Sequence, residues 1–82
     1  MAILYPVTTE KAIGMIEREN KITFVVEPNS TKTEIKKEVE KRFDVKVAKV
    51  TVLNSLTGKK KMFVKLKKEF KADDVAAKLK IA

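Results

Sequence analysis

The stretch Thr31-Lys32-Thr33-Glu34-Ile35-Lys36-Lys37-Glu38-Val39-Glu40-Lys41-Arg42-Phe43-Asp44-Val45-Lys46-Val47 decides the fold, because a helix start, a helix face and a change of period follow one another in it. Thr31 and Glu34 stand at capping-box spacing, where the hydroxyl and the carboxylate satisfy each other's free backbone donors. Ile35, Val39 and Phe43 then recur at i, i+4 and i+8, which predicts a helix over Lys32–Phe43 that buries one narrow stripe. Lys36, Lys37, Lys41 and Arg42 mix with Glu38 and Glu40 on its solvated faces, and Asp44 ends it. Val45 to Asn54 is rich in β-branched residues and reads as a strand. Its alternation slips, with Val45 and Val47 in one phase and Val50 and Val52 in the other, which a bulge or burial on both faces would explain.

Downstream, Ser55-Leu56-Thr57-Gly58 reads as a connection in which glycine supplies a positive φ. Lys60 to Lys67 returns as the second strand of a hairpin, with Met62, Val64 and Leu66 on one face and Lys61, Phe63, Lys65 and Lys67 on the other. Ala72 to Ile81 closes as a helix, with Asp73 and Asp74 at its start and Lys78 and Lys80 near its end, as the helix dipole favours.

Upstream, Lys21 to Glu27 alternates Ile22, Phe24 and Val26 with Thr23 and Val25 before Pro28-Asn29 breaks the run, the pattern of a strand covered on one face and partly on both. From Thr8 or Thr9 to Glu19, Ala12, Ile13 and Ile16 recur at helical spacing, and Glu10 lies in the first turn. Ala2 to Tyr5, ended by Pro6, reads as an edge strand. The order is strand, helix, strand, helix, strand, strand, helix. It predicts an α+β fold: a small, antiparallel-rich sheet of three to four strands packed by two to three helices. With 82 residues and no linker, residues 1–82 are expected to form a single domain.

Composition removes most chemistry. There is no cysteine and no histidine, so disulfides, thiolate metal sites and the commonest general base and metal ligand are all missing. Ser30, Ser55 and the threonines have only carboxylates or lysines to activate them, and no glycine-rich phosphate loop exists. No enzyme, metal or cofactor is expected. No stretch approaches eighteen apolar residues and Met1 to Pro6 lacks the features of a signal peptide, so no membrane insertion is expected and the chain reads as soluble, in a reducing compartment.

What remains is charge. The formal net charge is +8, and it is uneven: residues 1–30 hold three Lys and Arg against four acids, residues 31–82 sixteen against seven. Such an imbalance points to a polyanion. Gly58-Lys59-Lys60-Lys61 clusters charge at a hairpin tip, where long side chains reach phosphates, although lysines also protect exposed strand edges. Lys46, Lys49, Lys65, Lys67, Lys68 and Lys71 reinforce it in the same half. Lysines outnumber arginines seventeen to two, which favours phosphate neutralisation over bidentate base reading. Phe63 is the one aromatic in an exposed phase of the hairpin, too few for a base-stacking sheet of the RNA-recognition-motif kind. A free-standing basic nucleic-acid-binding module and a protein-interaction adaptor with a solubilising lysine face are the alternatives.

Four runs carry a resemblance. Val7-Thr8-Thr9-Glu10-Lys11-Ala12, Asn20-Lys21-Ile22-Thr23-Phe24-Val25-Val26 and Thr31 through Val47, followed by Gly58-Lys59-Lys60-Lys61-Met62-Phe63-Val64-Lys65-Leu66, resemble the large-subunit ribosomal protein family numbered twenty-three, in order and spacing over about residues 7–66. The resemblance implies a cytoplasmic, ribosome-bound protein that holds large-subunit rRNA at the polypeptide exit tunnel rim. Its implied partners are the ribosomal protein numbered twenty-nine, signal recognition particle and the protein-conducting channel. The short loop at about Asn54–Lys59 looks like the archaeal form, where bacterial members carry a long basic hairpin loop into the tunnel.

Residue by residue, Glu10 matches the glutamate that docks the chaperone trigger factor in bacterial relatives; here the resemblance implies either docking of another factor or a carboxylate that only favours its helix start. Where many relatives read Asn-Thr after the valine of the long strand, this chain has Thr51-Val52. Charge, hairpin position and resemblance together nominate Lys11, Lys36, Lys37, Lys46, Lys49, Lys59, Lys60 and Lys61 as rRNA contacts.

Overall fold

The structure is a computed structural model and describes residues 3–54 and 59–79. Along the chain run β1 (Ile3–Pro6), α1 (Glu10–Glu19), β2 (Lys21–Val26), α2 (Lys32–Phe43), β3 (Val47–Asn54), β4 (Lys60–Leu66) and α3 (Ala72–Lys78). This is the expected α+β order, with four strands and three helices among the described residues. The strands form one antiparallel sheet in the order β1-β2-β4-β3, so the last strand in sequence lies between β2 and β3. The Ser55–Gly58 connection lies outside the described residues, as do residues 80–82, among them Lys80 and the predicted last turn of α3.

Local chemistry sets the element boundaries. The Thr9 hydroxyl accepts the Ala12 N–H at 3.3 Å to start α1, and the Thr31 hydroxyl accepts the Glu34 N–H at 3.2 Å to start α2. The returning carboxylate half of the capping box is not made among the described residues. Both helices end on a left-handed residue, Asn20 at φ 57° and Asp44 at φ 54°. Asparagine and aspartate tolerate that region better than other residues bearing a Cβ. The turn between β2 and α2 closes through Ser30 N–H to Glu27 O at 3.0 Å, with Pro28 presetting φ at the second position.

The core lies on one face of the sheet. Ile22, Phe24 and Val26 of β2 and Met62, Val64 and Leu66 of β4 join Ile35, Val39 and Phe43 of α2 and Val75 and Ala76 of α3 in a single buried cluster. Burying each large side chain stabilises by about 1.5–3 kcal/mol. The slipped alternation of β3 is a bulge: the register shifts between Val47, opposite Leu66, and Lys49, opposite Lys65. The extra residue lets both Val47 and Val50 turn toward the core.

Three acceptors organise the edges in ways that periodicity does not reveal. Glu38 and Glu40, expected on solvated helix faces, accept the N–H groups of Ile3 and Val47 at 3.0 Å each, fixing β1 and the bulged start of β3 to α2. Asn20 does more. Its side-chain amide donates to the Leu66 and Phe70 carbonyls at 3.3 and 2.9 Å, and its Oδ1 accepts the Ala72 N–H at 2.6 Å. It thereby pins the β4–α3 connection to the end of α1. From the other side, Lys78 Nζ donates to the Phe43 carbonyl at 3.1 Å and caps the end of α2.

Candidate nucleic-acid interface

Cross-strand register decides which basic side chains meet. Directly paired residues share a face, and adjacent strands lie about 4.8 Å apart. On the sheet face opposite the core, Lys49 of β3, Lys65 of β4 and Lys21 of β2 form one row across three strands. Like charges directly opposite destabilise a sheet. Lys21 Nζ lies 3.4 Å from Glu19, but neither Lys49 nor Lys65 has an ion pair among the described residues. Two of the three ammonium groups in the row, those of Lys49 and Lys65, are therefore uncompensated positive charge that a polyanion would neutralise.

The next rows carry Thr51, Phe63 and Thr23, then Leu53, Lys61 and Val25, with Tyr5 of β1 beside Val25. The Val7–Thr9 segment and α1 overhang this part of the face. A cleft of about 150 Å³ forms between Lys11, Ala12 and Met15 on the helix side and Thr23, Leu53, Lys61 and Phe63 on the sheet. A wider groove of about 360 Å³ continues toward β1, between Tyr5, Thr8, Val25, Lys59 and Lys61. The two share Val7, Thr9 and Lys61. Lys59 Nζ sits 3.2 Å from the Tyr5 hydroxyl and 5.9 Å from its ring centre, within cation–π range.

The nominated lysines divide. Lys11, Lys49, Lys59 and Lys61 belong to this face or its groove. Lys36 and Lys37 are exposed on α2, whose buried stripe faces the core, so they stand on the other side of the sheet. Lys46 is exposed just before β3, beside Glu40 and Asp44. Lys60 is turned into the protein: it pairs with Val26, and its ammonium donates to the Ser30 carbonyl at 2.6 Å and to Pro28 at 3.4 Å. It ties the hairpin to the β2–α2 turn. Glu10 is exposed in the first turn of α1 and makes no ion pair among the described residues.

Lys21 and Lys65 complete the basic row but were not nominated. The shared phase of Lys61, Phe63 and Lys65 was legible, and only the pairing of β4 with both β2 and β3 brings Lys21 and Lys49 beside Lys65.

Comparison with known proteins shows the family. The family described as Ribosomal protein L23 matches residues 1–75. Large ribosomal subunit protein uL23 of Picrophilus torridus is 49% identical over 79 residues, covering 96% of this chain and 95% of that protein. With a match over most of the chain and a relative this similar along nearly its whole length, the chain belongs to the ribosomal protein L23 family.

Proposed function

We propose that this ribosomal protein is a non-catalytic structural constituent of the cytoplasmic large subunit that holds large-subunit rRNA at the rim of the polypeptide exit tunnel. The observation that carries the reading is the Lys49–Lys65–Lys21 row, continuous with the lysine-lined groove under α1. Lysines in such a row neutralise successive phosphates and release their counterions, which gives affinity without base-specific contacts. Lys11, Lys59 and Lys61 extend the row along the groove, and Lys46 and Lys49 flank the bulge. Lys60 acts as a structural tether. Lys36 and Lys37, on the reverse side, are left to a separate RNA segment.

The outward surfaces left by this arrangement serve protein partners. Glu10 and the first turn of α1 offer a docking point for factors that receive the nascent chain, with signal recognition particle and the protein-conducting channel as the partners, and the ribosomal protein numbered twenty-nine as neighbour. The connection between Asn54 and Lys60 is too short to extend far into a tunnel, which supports the archaeal-type reading.

Binding to large-subunit rRNA fragments and to an unrelated RNA duplex, measured across a salt series, tests the reading. Fragment-selective binding at about 150 mM salt, with a slope on the order of −3 to −4 for about five neutralised phosphates, is expected. Equal, salt-labile binding to every RNA would leave a free-standing basic module. No binding would leave a protein-interaction adaptor.

A further inference from the structure

Tyr5 lies on the outermost strand, β1, and is 46% exposed. It pairs with Val25, which pairs in turn with Lys61, so it belongs to the sheet face opposite the core, the face of the Lys49–Lys65–Lys21 row. Lys61 stands four positions before Lys65 on β4, roughly 13 Å away at the rise of a strand, so a single RNA segment reaches both. The open groove of about 360 Å³ runs between Tyr5, Thr8 and Val25, and among the described residues its only charged lining is Lys59 and Lys61, with no carboxylate. Lys59 Nζ donates to the Tyr5 hydroxyl at 3.2 Å and lies 5.9 Å from the ring centre. Those two distances differ by about the span from ring centre to phenol oxygen, so the ammonium sits at the hydroxyl end and does not cover the flat of the ring.

We infer that the Tyr5 ring is a stacking seat for one unpaired base of the RNA that lies along the sheet face, with Lys59 and Lys61 neutralising the adjoining phosphates. The inference rests on the RNA-binding reading above and adds to it the form of RNA held at this end of the sheet: a loop, a bulge or an end. Bases inside a duplex are stacked on one another and offer no free face, whereas an exposed aromatic ring in a basic groove is how proteins hold unpaired nucleotides. The groove is large enough for one nucleotide, since small-molecule sites start at about 300 Å³. The phenol oxygen accepts from Lys59, which leaves its own O–H to donate to a phosphate or base oxygen. Charge decides between RNA and protein as the occupant. An apolar peptide side chain seated on the ring would desolvate two ammonium groups without pairing them, whereas a nucleotide brings its own phosphates. Stacking accepts any base, because each has a π face, so the seat selects unpaired RNA and not a base identity.

Tyr5→Thr removes the ring and keeps a strand-forming residue at an exposed edge position, and Tyr5→Phe keeps the ring without the hydroxyl. For the large-subunit rRNA fragment that wild type binds, affinity should fall about five- to tenfold in Tyr5→Thr, the lower part of what one stacked base contributes, with an unchanged salt slope because no charge is removed. Tyr5→Phe should keep most of the affinity. A second measurement reads the seat directly, because Tyr5 is the only tyrosine of the chain and its ring resonances report this position alone. Titration with single-stranded oligoadenylate should move them upfield through the ring current of the stacked base, whereas inorganic polyphosphate, a polyanion without bases, should not. If wild type binds the fragment but Tyr5→Thr binds it equally well, if Tyr5→Phe loses as much as Tyr5→Thr, or if polyphosphate moves the ring resonances as far as oligoadenylate does, the stacking seat is overturned, the RNA-binding reading stands, and the exposed ring is left to a protein neighbour. If wild type binds no RNA, both fall.

Discussion

Lys49 and Lys65 stand directly opposite each other on neighbouring strands, in register and on the solvent face of the sheet, with no acidic partner for either among the described residues. Such a pair weakens the isolated protein, because like charges at this spacing repel by roughly 0.2–1 kcal/mol. Lys65→Thr should therefore raise the stability of the free protein by a few tenths of a kcal/mol, helped by the strand preference of threonine, while weakening rRNA binding. Urea unfolding beside an RNA titration checks both signs, and the stability gain should shrink at high salt.

Asn20 joins three elements through one side chain. Asn20→Ala removes the bonds to Leu66, Phe70 and Ala72 and places a Cβ-bearing residue without a polar side chain at φ 57°. A loss of about 2–4 kcal/mol is expected, at about 1 kcal/mol per hydrogen bond plus the conformational cost. Asn20→Gly keeps the left-handed cap and should recover about 1 kcal/mol of it. Denaturant unfolding of the two variants separates the two contributions, and equal losses would show that the backbone conformation contributes nothing.

Glu40 accepts the Val47 N–H at 3.0 Å, where the bulge interrupts the ladder. Glu40→Ala leaves that donor without a protein partner and should cost about 1–2 kcal/mol, whereas Glu40→Gln keeps a carbonyl acceptor and should cost less. Amide exchange at Val47 is the direct readout: it should accelerate in the alanine variant and stay slow in the glutamine one.

Much of this was visible in the residues alone, for a physical reason. Ile35, Val39 and Phe43 could have been buried together only by a helix, and the phase slip between Val47 and Val50 admitted few explanations, of which the structure realises the bulge. Apart from α3, expected to Ile81 and ending at Lys78, elements defined by local periodicity were legible to within a residue or two. Roles defined by distant partners were not. Glu38, Glu40, Asn20 and Lys60 all look like ordinary surface residues until the chain folds, because their partners lie 7 to 52 positions away. The candidate interface divides in the same way: the positive charge of the hairpin was evident, but which lysines share a face depended on strand order. Lys21 joined the row, while Lys36 and Lys37 fell on the reverse side.

Gly14 sits in the middle of α1, where glycine costs roughly 1 kcal/mol relative to alanine. A Cβ there would meet only the tip of the Arg18 side chain, at 2.7 Å, and that exposed side chain can swing aside. Gly14→Ala should accordingly stabilise the protein by about 0.5–1 kcal/mol and leave RNA affinity unchanged. Thermal unfolding together with the RNA titration provides the check.

The central claim is that RNA lies along the sheet face opposite the core. Its most direct test compares Lys21→Thr/Lys49→Thr/Lys65→Thr with Lys36→Ala/Lys37→Ala, measuring affinity for the same large-subunit rRNA fragment across a salt series. The account predicts that the first variant binds more weakly and that its salt slope becomes shallower by about 2, at about 0.7 for each phosphate no longer neutralised, while the second keeps both close to wild type. A shallower slope in the α2 variant, with the sheet-face variant unchanged, would place the RNA on the reverse side and contradict the account.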